Sequence, residues 1–150
     1  MVALNPTRYP TVFVRGRVTD GDGGGGTFHN VTTSYPTNQG TIFAASGSYS
    51  TRRWVRNYTG PAEIEWWGLD GSASDQAKLV DALAAVDTLH FSAGTYRVSA
   101  NLDVPASEKL IFDRGAMLSI DAGKTATIRG DVSAGYFQIF TGAGAVTFGT

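Results

Sequence analysis

The 150-residue sequence predicts a mainly β chain: a small N-terminal β module, one capping α-helix, then the first coils of a parallel β-solenoid. Three observations predict it. Apolar residues recur mostly at a spacing of two, the period of a half-buried strand. One stretch, 74–86, breaks from that period to helical spacing. The residues after it fall into apolar pieces of three or four, set between Gly, Asp, Asn and Pro corners. Hairpin strands usually run to about five or six residues, so such pieces suit a solenoid with roughly three strands per coil of about 20 residues.

In chain order, Thr11–Val18 reads as the first strand, with Val12, Val14 and Val18 on one face and Arg15 and Arg17 on the other. The glycine run Gly21–Gly26 ends it. Thr27–Thr33, Thr41–Ala45 and Arg53–Tyr58 follow as short strands, separated by polar clusters such as Ser34–Gly40. The helix places Leu79, Val80, Leu83 and Val86 at helical spacing, with Ser74 as N-cap and Asp75 and Asp81 where a helix start tolerates anions. The short pieces behind it are Leu89–Phe91, Tyr96–Val98, Leu102–Val104, Leu110–Phe112, Met117–Ile120, Ala126–Ile128, Phe137–Phe140 and Val146–Phe148. A solenoid coil cannot bury its interior alone, and a helix ahead of the first coil is a suitable cap. The expected domains are 1–65, the β module, and 66–150, the helix and coils. Trp54, Trp66 and Trp67 are expected at the junction of the two, with at least one of Trp66 and Trp67 inside.

With 42% hydrophobic residues and a net charge of −1, the chain is not of the disordered class. The absence of cysteine excludes disulfide scaffolds and thiolate zinc sites. No apolar run approaches the length of a membrane span, and the start has no basic segment followed by an apolar one. Charge is uneven: residues 1–60 carry six arginines, no lysine and only two acids, a balance of +4, and the remainder carries −5. Such a split fits two modules in different surroundings, two faces that meet, or solvated surface alone.

Most motifs fail on their context. Gly21-x-Gly23-x-x-Gly26 matches a dinucleotide fingerprint, but strand-like residues follow where a helix N-terminus is required. Asp20-x-Asp22 opens like a calcium loop whose closing acid would be Val31. Gly123-Lys124-Thr125 lacks the earlier glycine of a phosphate loop, where Leu118 stands. His29 and His90 have no second ligand at metal spacing. Asp103, Asp113 and Asp121 resemble a glycosidase or lyase acid set, yet each occupies a corner where Asp is favoured for turn hydrogen bonds. Arg52-Arg53-Trp54-Val55-Arg56 mixes cations with an aromatic as nucleic-acid binders do, but the module is too weakly basic for that role. No catalytic or metal residue and no cofactor is assigned, and neither nucleic acid nor membrane is an expected partner.

Four segments carry a resemblance. Gly21-Asp22-Gly23-Gly24-Gly25-Gly26-Thr27-Phe28, Asn38-Gln39-Gly40-Thr41-Ile42, Arg53-Trp54-Val55-Arg56 and Ile64-Glu65-Trp66-Trp67-Gly68 resemble the N-terminal module of bacteriophage tailspikes and related capsular-polysaccharide depolymerases. The helix and Leu89–Val98 resemble the opening of the pectate-lyase-like right-handed β-helix. The sequence departs from that pattern at Ser74, in place of one acid of a pair, and at Ser92, in place of a proline. The resemblance implies a right-handed parallel β-helix, a homotrimer on a virion tail, and docking to a phage tail or baseplate protein. Arg15, Arg17, Arg52, Arg53 and Arg56 are the candidates for that docking surface. Host polysaccharide would be met through a downstream region, because the family's catalytic acids lie on later coils or between subunits and none maps onto this sequence. The expected function is attachment, trimerisation and capping without catalysis, in a chain expected to continue past Thr150. The alternatives are a polysaccharide lyase or hydrolase portion with its own site, and a carbohydrate-binding or structural solenoid.

Overall fold

The computed structural model describes residues 4–69 and 75–149. Over these residues the chain is mainly β with one α-helix, and it divides into two compact units. The first comprises Met1–Thr59 and Glu65–Gly68, the second Gly60–Ile64 and Leu69–Thr150. The expected boundary at 65/66 falls inside this interleaved stretch. Ser74, expected as the N-cap, lies outside the described residues.

In the first unit, β1 (Thr11–Val14), β2 (Gly26–Thr32), β3 (Ile42–Ala44) and β4 (Arg52–Asn57) form an antiparallel sheet in the order β1-β2-β4-β3. Period-two alternation sends Phe28 and Trp54 inward to join Ala45, and Val12, Val14, Phe43 and Tyr49 pack around them. The first strand is shorter than the sequence pattern predicts. It stops at Val14, and Val18 is 86% exposed. The cause is Asp22, whose carboxylate accepts the backbone N–H groups of Arg17 (2.9 Å), Val18 (2.7 Å), Thr19 (3.0 Å) and Gly24 (2.9 Å). These bonds hold the Asp22 carboxyl well below the usual carboxylate range. Four donors drawn to one side chain close a loop where a strand would otherwise continue.

The second unit contains β5 (Ala62–Glu63), α1 (Asp75–Leu83), β6 (Thr88–Phe91), β7 (Gly94–Val98), β8 (Leu102–Val104), β9 (Lys109–Phe112), β10 (Ala116–Ile120), β11 (Thr125–Ile128), β12 (Asp131–Ser133), β13 (Phe140–Gly142) and β14 (Ala145–Phe148). Its strands pair in parallel in three small sheets, β5-β6-β9-β12, β7-β10-β13 and β8-β11-β14. From β6 onward consecutive strands go to different sheets, and the order repeats at β6, β9 and β12. Register places like against like: Leu89 opposite Leu110, Phe91 opposite Phe112, Val98 opposite Ile120, Val104 opposite Ile128. All eight are buried. Phe91 and Phe112 stack with ring centroids 4.7 Å apart. Burying one such side chain contributes about 1.5–3 kcal/mol.

Two departures from the expected elements have simple causes. Phe137–Phe140 is not a strand; pairing begins at Phe140, because the 2.9 Å bond from Phe137 N–H to Gly135 C=O makes a tight turn first. β12 has a single apolar residue, Val132, and exists because its backbone continues the parallel ladder of β9. In α1 the buried residues include Leu79, Ala82 and Leu83, whereas Val80, expected inward, is 47% exposed.

Candidate functional site

Arg56 sits on the inward face of β4, two residues after Trp54 and opposite Phe28 in register. It is 5% exposed. Its Nε donates to Gly40 C=O at 3.2 Å, Nη2 to Gly24 C=O at 2.9 Å, and Nη1 to Gly25 C=O. The guanidinium lies 4.5 Å from the Phe28 ring centroid and 4.3 Å from that of Trp66. One cation between two rings thereby ties together the glycine run, the Asn38–Ile42 loop, β4 and the Ile64–Trp67 turn. Burial, and then the neighbouring Arg17 charge, push its pKa down to about 10, so it remains a cation at neutral pH.

Two of these segments, the Asn38–Ile42 loop and the turn, meet again at Trp67. Its indole N–H donates to Asn38 C=O at 2.7 Å, and its ring fills the space beside Gly40, where any Cβ would overlap it. Asn38 Oδ1 in turn accepts the N–H groups of Gly40 (3.2 Å), Thr41 (2.9 Å) and Ile42 (2.9 Å). Arg17 Nη1 donates to Trp66 C=O at 2.7 Å and to Gln39 C=O. The glycine run therefore presents carbonyls to a cation, the reverse of a phosphate cradle, which presents N–H groups to an anion.

Of the five arginines expected to meet a partner, Arg56 and Arg17 are braces inside the first unit. Arg15 is exposed and pairs with Asp20 at 2.6 Å. Arg52 donates to Asn30 Oδ1 at 2.7 Å. Arg53 donates from Nε to Tyr35 C=O at 2.7 Å, and from Nη1 to Ser50 C=O at 2.7 Å and Arg52 C=O at 3.0 Å. Trp54 is fully buried beside Phe28, and Trp66 and Trp67 stack 6.4 Å apart.

In the second unit, Asp113 and Asp121 lie at corners, Asp103 lies within β8, and each of these three acids faces a basic side chain. Asp121 accepts two bonds from Arg97, at 3.0 Å from Nε and 2.8 Å from Nη2, which lowers its pKa and raises that of Arg97. Asp103 accepts from Arg129 Nη1 at 2.7 Å. Asp113 Oδ1 stands 3.2 Å from His90 Nε2, and the other ring nitrogen of His90 lies 2.7 Å from Glu63 Oε2. Sequence spacing gave no sign of this Glu63–His90–Asp113 relay, because its members come from β5, β6 and the corner after β9. Partial burial alone would lower the His90 pKa; hydrogen bonds to Asp113 and Glu63 and their charges outweigh it, so the pKa is raised. Among the described residues no group of three or more His, Asp or Glu side chains is arranged to hold a metal ion.

No family model matches the chain, and no curated protein sequence matches it. Solved structures do. The fold is similar to that of full-length tailspike protein 2 from an Escherichia coli O157:H7 bacteriophage, with TM-score 0.53 and 15% identity over 92% of this chain. It is also similar to the enzymatically active domain of bacteriophage CBA120 tailspike protein 2, with TM-score 0.51 and 14% identity over 93% of this chain. The chain spans 20% of the first structure and 23% of the second. At such identity the likeness is one of fold: a phage-tailspike-like fold, mainly β with one helix.

Proposed function

We propose that this chain is the N-terminal attachment, trimerisation and capping region of a phage tailspike, without glycan-cleaving activity of its own. The observation that carries the reading is the second unit: three parallel sheets visited in rotation, behind a single helix that packs on β7. Three strands per turn with stacked Leu, Phe, Val and Ile columns are what the first coils of a right-handed β-helix require. In this reading α1 covers the first coil, while the backbone edges of β12, β13 and β14 pair with the next coil. The exposed Phe148 ring, 6.1 Å from Phe140 and 70% exposed, would be covered by that coil. The fold similarity to a tailspike structure described as an enzymatically active domain, over 93% of this chain and 23% of that one, supports placing this region beside an active domain.

The pairing of the carboxylates supports a region without activity. Glycoside hydrolysis needs two acids flanking one bond, whereas Asp103, Asp113 and Asp121 each face a cation or His90. Of the five candidate arginines, Arg17, Arg53 and Arg56 donate to backbone carbonyls, so docking to an acidic tail or baseplate protein falls to Arg15 and Arg52, and it should weaken as salt rises. The test is incubation of the purified chain with a panel of capsular polysaccharides, following reducing ends and unsaturated products. No turnover is expected. Turnover abolished by Asp113→Asn or Asp121→Asn would overturn the proposal in favour of an enzymatic portion.

A further inference from the structure

A surface pocket of about 350 Å³ lies in the first unit where β2 ends and β4 begins, lined by Thr32, Thr33, Ser34, Ser50, Thr51 and Arg53. Its volume is within the usual range for a small-molecule site. The Thr33 N–H donates to Thr51 C=O at 3.1 Å and holds the two lining segments together. Thr33 Oγ1 accepts from the Tyr35 N–H at 3.4 Å. The hydroxyls of Thr32, Ser34, Ser50 and Thr51 have no protein partner among the described residues.

Arg53 supplies the charge. Three carbonyls fix its guanidinium through Nε and Nη1, and Nη2 makes no protein hydrogen bond among the described residues. Not one Asp or Glu occurs between Gly23 and Ala62, and Arg53 has no ion-pair partner among the described residues. A half-buried guanidinium that is preorganised but not neutralised attracts an oxyanion, for which its planar fork is suited. Hydroxyls that both donate and accept suit the hydroxyls of a polyol.

We propose that this pocket binds a small hydroxylated oxyanion of the chemistry of a hexuronate or a hexose phosphate. The shared features are one carboxylate or phosphate on Arg53 and hydroxyl groups on the Ser and Thr side chains. The proposal does not depend on the tailspike reading.

The test is a titration of the whole chain, 15N-labelled, with glucuronate, glucose 6-phosphate, glucose and inorganic phosphate, read from amide chemical shifts. Saturable shifts confined to residues 32–35 and 50–53 are expected with glucuronate, glucose 6-phosphate or both below about 10 mM. The tighter of the two names the anion. Glucose and inorganic phosphate should each bind about tenfold more weakly, because each lacks half of the recognition. Arg53→Gln should lose about tenfold in affinity. Since Arg53 also braces its loop, Thr51→Val and Ser34→Ala are the second arm, each expected to weaken binding several-fold with the remaining amide spectrum unchanged. No saturable shift with either acid, equal binding of glucose or of inorganic phosphate, or unchanged affinity in all three variants would overturn the proposal.

Discussion

Arg56 is the residue on which the first unit should depend most, and its replacement has a calculable cost. Arg56→Met keeps an unbranched side chain of similar reach but removes every donor. Carbonyls of Gly24, Gly25 and Gly40 lose their partner together, and each buried carbonyl left unpaired costs about 1–3 kcal/mol. The contacts with Phe28 at 4.5 Å and Trp66 at 4.3 Å lose a cation–π attraction of about 1–2 kcal/mol. Against this, a charge held beside Arg17 and away from water is no longer required, which returns part of the loss. The net expectation is about 3–4 kcal/mol of destabilisation. Arg56→Lys should recover little of it, because a single ammonium cannot reach three carbonyls spread across two loops as a planar fork does. Urea unfolding followed by tryptophan fluorescence reads both variants, with Trp54, Trp66 and Trp67 as local reporters. An Arg56→Met midpoint within about 0.5 kcal/mol of the wild type, or an Arg56→Lys protein as stable as the parent, would refute the reasoning.

The remaining predictions concern the relay, the loop packing and assembly. Because the His90 pKa is raised above 6.5 by Asp113 and Glu63, its contribution to stability is fully present below that pH and is lost as pH rises through the raised value. The wild-type urea midpoint should therefore fall between about pH 6 and pH 9 more steeply than that of His90→Gln; parallel pH profiles would contradict the relay. Gly40→Ala places a methyl group into the Trp67 ring and should cost about 1–3 kcal/mol, and an unchanged midpoint would show that the loop is not packed as described. Sedimentation at micromolar concentration should give a parallel homotrimer with three times the 15.9 kDa of one chain. A monomer at every concentration would remove assembly from this region.

What could be read from the sequence was what repeats locally. β6, β8, β9 and β11 lie where their apolar pieces predicted, because strict alternation inside Leu89–Phe91, Leu102–Val104, Leu110–Phe112 and Ala126–Ile128 buries every second side chain. The end of β1 was hidden because it depends on Asp22, a turn residue that captures the N–H groups of Arg17, Val18 and Thr19 from further along the loop. The different roles of the arginines were hidden for a related reason. Charge density alone does not distinguish Arg15, which is exposed, from Arg56, whose burial depends on Phe28 standing opposite it across the sheet. His90 looked solitary because Glu63 is 27 residues away in sequence; only parallel register brings them side by side. Asp113 and Asp121 do stand at corners, Asp103 lies inside β8 instead, and none of the three gave any sense of its basic partner. Those partners, too, are set by the stacking of one turn of chain on the next.

That stacking is the claim on which the functional account rests, and the absence of cysteine from the chain allows a clean measurement of it. Thr127 in β11 and Thr147 in β14 are register partners 20 residues apart, with hydroxyls 3.2 Å from each other on the exposed face. Parallel neighbours lie about 4.8 Å apart, within the span a disulfide bridges. The double variant Thr127→Cys, Thr147→Cys should close an intrachain disulfide under mild oxidation, seen by mass spectrometry of proteolytic fragments. The pair Thr125→Cys, Thr147→Cys, two positions out of register, should not. Closure in the first and not the second is the predicted result. A first pair that stays reduced, or two pairs that close equally well, would contradict the parallel coils and the capping function built on them.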